Sequence, residues 1–250
     1  MEISYSRLKT YRDCPWLFKL LYVDGLYPSL SPAGSLGLSL HRTLERYHAR
    51  HPDPGEVPDG EAELLDDYVS AWLHRGYQTP QMQVEWFEKG KEILRGYWQM
   101  ERSRSSKIIF VEKEFRFESR GVWVKGIMDR VDLNEDGSYE VVEYKTQKAA
   151  ASPEEVAGNL QLSLYGLALR RAFGLEPKWQ SVLFIREKAK VRAPYNAAGE
   201  QRLLDLIVEA ERKMDQGLYD PDTSHCVRCD FRNRCAYSTA PQSADVPKTL

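Results

Sequence analysis

Over the first hundred positions, apolar residues recur at three- and four-residue steps, the period of a helix with one buried face. Ser4 supplies a cap for a first helix carrying Leu8 and Tyr11. Cys14-Pro15 interrupts, and Pro15 suits the first turn of a second short helix through Trp16, Phe18 and Leu21. Asp24, Gly25, Pro28, Ser29, Ser31, Pro32 and Gly34 predict a loop over 24–35. Leu40, Leu44, Tyr47 and His48 predict a helix over 36–50, which His51-Pro52-Asp53-Pro54-Gly55 stops. Two more helices follow, at about 61–75 and 80–102, the second on Trp86, Ile93 and Tyr97.

The period then changes. Residues 108–118 and 122–133 read as strands joined by a turn at Ser119-Arg120-Gly121. Asn134-Glu135-Asp136-Gly137 makes a second turn, and 138–146 a third strand. A helix over 153–173 ends at Gly174, followed by a strand over 179–186 and a helix over 200–216. A helix between the third and fourth strands allows a crossover, so the expected fold is α/β with a mixed central sheet. The expected organisation is a helical N-terminal part (1–105), a core (106–217), a tail holding three cysteines (218–237) and a disordered end (238–250).

Composition narrows the function classes. The 250 residues are 42% hydrophobic and 29% charged, as in an ordinary globular protein. No apolar run is long enough to span a membrane and Met1–Ser6 does not resemble a signal peptide, so a cytoplasmic location without a membrane partner is expected. Net charge is −2, so bulk charge does not advertise a nucleic-acid partner, and binding would need a local patch. Arg170, Arg171, Lys178, Arg186, Lys188, Lys190 and Arg192, against Glu176 and Glu187, form one candidate. A solvated surface explains the same stretch equally well.

Candidate chemistry gathers on the second and third strands. Gly126-Ile127-Met128-Asp129 and Val141-Val142-Glu143-Tyr144-Lys145 place two acids and a lysine on neighbouring strands. Alternation puts Glu143 and Lys145 on one face. Two carboxylates suit a hard divalent cation, and an ammonium beside them suits a phosphate and its attacking water. The same charges also fit a solvated face, with Asp129–Arg130 as a surface ion pair. Gln161 and Tyr165, four apart, share a face of the next helix and could contact a phosphate or base, or be ordinary helix residues. His41, after Gly37, is a sensible third ligand only if its helix packs over the strand mouth.

Cys226-x-x-Cys229 with Cys235 makes a tight cluster, and Cys14 lies 212 positions before Cys226. Such spacing in a reducing compartment points to a metal rather than disulfides. Physics alone leaves zinc and iron–sulfur open, and His225 could replace a cysteine in a zinc site.

The order Gly37-x-x-x-His41, Gly126-Ile127-Met128-Asp129-Arg130-Val131-Asp132, Glu143-Tyr144-Lys145-Thr146 and Gln161-Leu162-Ser163-Leu164-Tyr165 resembles the RecB-type nuclease domain of the PD-(D/E)xK superfamily, over about residues 3–237. With Cys14 and the late triplet, it looks like the iron–sulfur subgroup, which includes the AddB nuclease domain and CRISPR-associated RecB-like exonucleases. Met128 stands where the superfamily name has a proline, as is common in RecB-like members. The resemblance implies a restriction-endonuclease-like core. It implies Mg2+ or Mn2+ held by His41, Asp129, Glu143 and the backbone carbonyl of Tyr144, with Asp129, Glu143 and Lys145 catalytic. It further implies DNA contacts from Gln161 and Tyr165, and a [4Fe–4S] cluster on Cys14, Cys226, Cys229 and Cys235. Arg228, Arg232 and Arg234 beside that cluster could also meet DNA. The expected activity is a DNA exonuclease acting on single strands or ends, in repair, recombination or CRISPR spacer processing, with recombination or CRISPR adaptation proteins as partners. The alternative is an iron–sulfur DNA-binding subunit without catalysis.

Overall fold

A computed structural model describes residues 2–55, 57–147 and 151–241. Its elements are β1 (Glu2–Ile3), α1 (Tyr5–Asp13), α2 (Pro15–Phe18), α3 (Pro32–Arg50), α4 (Gly60–Ala71), α5 (Pro80–Glu101), β2 (Lys107–Ser119), β3 (Val122–Leu133), β4 (Tyr139–Lys145), α6 (Pro153–Ala157), α7 (Leu160–Phe173), β5 (Pro177–Phe184), β6 (Ala189–Pro194) and α8 (Glu200–Asp215). By contact the chain forms two units interleaved in sequence, where three consecutive sections were expected. One comprises 1–29, 118–125 and 201–250, the other 30–117 and 126–200. Of the tail expected to be disordered, residues 242–250 lie outside the described residues. Ser238 and Ala240, just before them, are buried. Among the described residues no helix is long and apolar enough to cross a membrane.

In the larger unit the sheet runs β3–β4–β5–β6, with β2 paired to β3. β3 and β4 are antiparallel, β4 and β5 parallel, β5 and β6 antiparallel, a mixed sheet as the crossover helix predicts. Val142 and Tyr144 of β4 and Leu183 of β5 join a core with Leu36, Leu40 and Leu44 of α3, Leu64 and Tyr68 of α4, and Leu94 and Tyr97 of α5. Those helices therefore cover one face of the strands, and Glu143 and Lys145 project from the other.

Several boundaries differ from expectation for identifiable reasons. α3 starts at Pro32, because the Ser31 hydroxyl accepts from the Gly34 N–H and Pro32 takes the first turn. Residues that signalled a loop are its cap. The helix expected over 153–173 is two helices. Gly158 closes α6, and the Asn159 side chain accepts from the N–H groups of Gln161 and Leu162 to restart the chain as α7. β6 was not foreseen, since its six residues carry a lysine and an arginine.

In the smaller unit β1 pairs in parallel with Trp123 and Val124. The Tyr11 hydroxyl donates to the carbonyl of Leu218 at 2.5 Å, and Arg120 pairs with Asp205 at 2.6 Å. Leu20, Phe231 and Cys235 form a small core of their own.

The centre of the larger unit holds a buried ion network. Arg130, 2% exposed, donates to both oxygens of Asp132 at 2.6 and 2.8 Å and to Glu101 at 2.9 Å. Ser106 donates to Asp132, and His48 meets the Tyr97 hydroxyl at 2.6 Å. The surface pair considered for Asp129 and Arg130 is therefore wrong, because Arg130 points inward to Asp132 and Glu101. We predict that Arg130→Met, which strands those carboxylates, costs about 3–5 kcal/mol. Urea unfolding reads the loss, and a change below about 1 kcal/mol would contradict this account.

Candidate active site

The site is built from α3, β2, β3, β4 and α7, by residues that all lie in the larger unit. Asp129 and Glu143 are 6% and 4% exposed, which excludes the solvated charged face. The register pairs Arg130 with Val142, and the Tyr144 N–H donates to Asp129 Oδ2 at 2.8 Å. A side chain thus accepts from the neighbouring strand's backbone, fixing Asp129 against β4.

Lys145 Nζ donates to Glu143 Oε1 at 2.7 Å and to Gln161 Oε1 at 3.0 Å. Gln161 Nε2 donates to Glu143 Oε2 at 2.8 Å and to the Tyr165 hydroxyl at 2.9 Å. Gln161 and Tyr165 are buried and turn their polar atoms onto the Glu143–Lys145 pair. The restart at Asn159 sets this geometry by giving α7 its own phase.

His41 reaches the site because α3 passes close to the end of β4. A Cβ on Gly37 would stand 3.3 Å from Thr146 Oγ1. One turn on, His41 Nδ1 lies 3.8 Å from Asp129 Oδ1 and 3.1 Å from Glu112 Oε1. Ligand atoms of His41, Glu112 and Asp129 all fall within 4.8 Å of one another, a spacing one cation can bridge. A cleft of about 470 Å³, lined by Gly37, His41, Arg42, Glu112 and Thr146, opens there.

Glu112 escaped the sequence reading. Strict alternation places it with Glu114 and Arg116 on a polar face and does not single it out. The available signal was the broken alternation over Ile108–Val111. In the structure Ile108 is buried, as are Phe115 and Phe117, which have the opposite parity. The slip falls at Glu112, whose φ of 41° is left-handed. A non-glycine residue held there costs on the order of 1–3 kcal/mol.

Three acids and two bases in a buried space do not all keep their charges. Burial lowers the His41 imidazole, but its hydrogen bond to Glu112 and the charge of Asp129 outweigh it and lift it to about 9. Burial and Asp129 push Glu143 up to about 8, against the pull of Lys145. Burial also raises Asp129, opposed by His41 and the Tyr144 N–H.

In the smaller unit Cys14, Cys226, Cys229 and Cys235 are free thiols lining one cavity of about 320 Å³. The N–H groups of Leu17 and Asp222 point to Cys14 Sγ at 3.5 and 3.4 Å. Burial pushes the Cys229 thiol up, and the other three thiols add to the rise. Among the described residues, no three of these sulfurs lie all within 4.8 Å of one another. His225 lines the same cavity.

The basic stretch contributes less than its composition promised. Lys190 and Arg192 pair with the buried Glu140 at 2.7 and 2.8 Å, Arg170 with Glu176 and Glu200, and Lys178 with Asp136.

The sequence profile of the PD-(D/E)XK nuclease superfamily matches residues 2–236. Among solved structures, a crystal structure named "Putative exonuclease" from Eubacterium rectale is similar, with a TM-score of 0.56 at 12% identity over 97% of this chain and 91% of its own. One named SSO0001 matches with a TM-score of 0.35 at 17% identity, over 79% and 83%. No curated protein matches. The mixed sheet with its helices agrees with a restriction-endonuclease-like core.

The raised values have a consequence for metal binding. At pH 7 both Glu143 and His41 hold protons that a cation must displace. We predict that Mn2+ affinity rises between pH 7 and 9 and that binding at pH 7 releases up to about two protons. Calorimetry in buffers of different ionisation heat counts them. Affinity flat across that range would contradict the assignment.

Proposed function

The chain belongs to the PD-(D/E)XK nuclease superfamily, and on that premise we propose that it is a Mg2+- or Mn2+-dependent deoxyribonuclease acting as an exonuclease on single strands or DNA ends. The observation that carries this reading is the Glu143–Lys145 pair, 2.7 Å apart, beside an Asp129 that β4's own backbone holds. His41, Asp129 and Glu143 with the Tyr144 carbonyl would hold the cation, and an imidazole among carboxylates suits manganese. Bound there, the cation would acidify a water and neutralise charge on a phosphate.

The protein's own groups do the remainder. Lys145 brings a positive charge to the mouth of β4, where phosphate charge develops and the attacking water must be oriented. Glu143 and Gln161 hold Lys145 in place, and Tyr165 holds Gln161. Gln161 and Tyr165 would then act on DNA by positioning the Lys145 ammonium. Arg42, lining the cleft beside His41, is placed to meet a backbone phosphate.

We place a [4Fe–4S] cluster on Cys14, Cys226, Cys229 and Cys235, with a structural role. The four thiols line one cavity, which supports a shared group, and the resemblance to the iron–sulfur subgroup selects the cluster over zinc. Such a cluster closes a long loop between Cys14 and Cys226, and Arg228, Arg232 and Arg234 beside it could meet DNA. DNA repair, recombination or CRISPR spacer processing in the cytoplasm, with recombination or CRISPR adaptation proteins as partners, are the roles in which such an enzyme would act.

The activity is tested on end-labelled single- and double-stranded DNA with Mn2+, using anaerobically purified protein. Asp129→Ala, Glu143→Ala and Lys145→Ala should each lose roughly a hundredfold or more in turnover and keep a cooperative melt. Near-normal cleavage by folded Lys145→Ala protein would sink the assignment. For the cluster, Cys14→Ser should release iron and increase proteolysis near residues 226–235. Colourless wild-type protein with about one zinc per chain would overturn the iron–sulfur assignment.

A further inference from the structure

Glu112 is an acid at the site that the motif does not use. Asp129 divides its oxygens, giving Oδ2 to the Tyr144 N–H while Oδ1 lies 3.8 Å from His41 Nδ1. Glu112 Oε1 is 3.1 Å from that same nitrogen. One ligand atom each from His41, Glu112 and Asp129 therefore lies within 4.8 Å of the other two.

We propose that Glu112 is a further direct ligand of the divalent cation, joining His41 and Asp129 beside Glu143. This rests on the metal-dependent nuclease reading above. One imidazole nitrogen and two carboxylate oxygens form a mixed set that favours Mn2+ over Mg2+, which prefers oxygen donors and keeps its waters. The left-handed backbone at Glu112 has a purpose on this account, since it falls where Glu112 meets His41. An ordinary ion pair explains the placement less well. Glu112 and His41 are both partly exposed, where such a pair adds little to stability, and the left-handed backbone works against the fold.

The test measures Mn2+ binding without DNA, by calorimetry and by the electron paramagnetic resonance of bound Mn2+. Glu112→Gln should weaken binding by about tenfold or more. Glu112→Gly adds a separation of causes. Glycine suits a φ of 41°, so this variant should melt at or above the wild-type temperature while losing the cation equally. A residue kept for folding alone would show the reverse. Should neither variant fold, Glu112→Asp keeps the charge, withdraws the carboxylate by one methylene, and should still weaken Mn2+ binding. Wild-type affinity in a folded Glu112 variant overturns the proposal. Wild-type protein that binds no divalent cation defeats the nuclease reading itself.

Discussion

The pleat of β4 is the constraint on which the rest depends. Both of its faces are covered, and they have opposite chemistry. Val142 and Tyr144 enter the core made with α3, α4 and α5, while Glu143 and Lys145 face Gln161 of α7. Because the period is two, a slip of one residue would put the charges in that core and the apolar side chains at the site. The burial energy of Val142 and Tyr144 therefore fixes where Glu143 and Lys145 stand. The same register places the Tyr144 N–H on Asp129, so the second acid is positioned by the strand that carries the first.

β3 shows charge used in two ways within four residues. Arg130 and Asp132 sit in a closed network with Glu101, where each ion has a partner and the local charge nearly balances. Asp129 faces the other way, into a space holding Glu112 and Glu143, where His41 and Lys145 compensate in part. Buried carboxylates in excess must take up protons or a cation. The raised values of Glu143 and His41 express that deficit of positive charge. The network behind Asp129 serves the fold, whereas the site in front stays short of positive charge and so remains receptive to a metal.

Much of this was legible in the sequence, and the exceptions share a cause. The alternating strands around Asp129 and Glu143, the helical spacing of Leu40 and Leu44, and the C-x-x-C of Cys226 and Cys229 are local patterns, and local patterns can be read. Glu112 could not be singled out, because its role comes from a backbone inversion inside a strand that the residue type does not announce. The start of α3 at Pro32 was misread because serine and proline signal both a loop and a helix cap. Lys190 and Arg192 looked like a surface patch, and only the parallel pairing of β4 with β5 brings Glu140 within reach of them. In each case the deciding partner lies far away in sequence.

The interleaving of the smaller unit has a consequence for how the chain is made. The larger unit is drawn from residues 30–200, so its strands are all synthesised while Cys226, Cys229 and Cys235 are still unmade. Cys14, by contrast, is made 212 residues before Cys226. At typical synthesis rates it waits on the order of 10–40 s for its partners. Any group shared by the four thiols can be completed only after Cys235 is made, onto a chain whose larger unit is already synthesised. Throughout that interval Cys14 must be kept reduced by its surroundings, since the cavity that will shelter it does not yet exist.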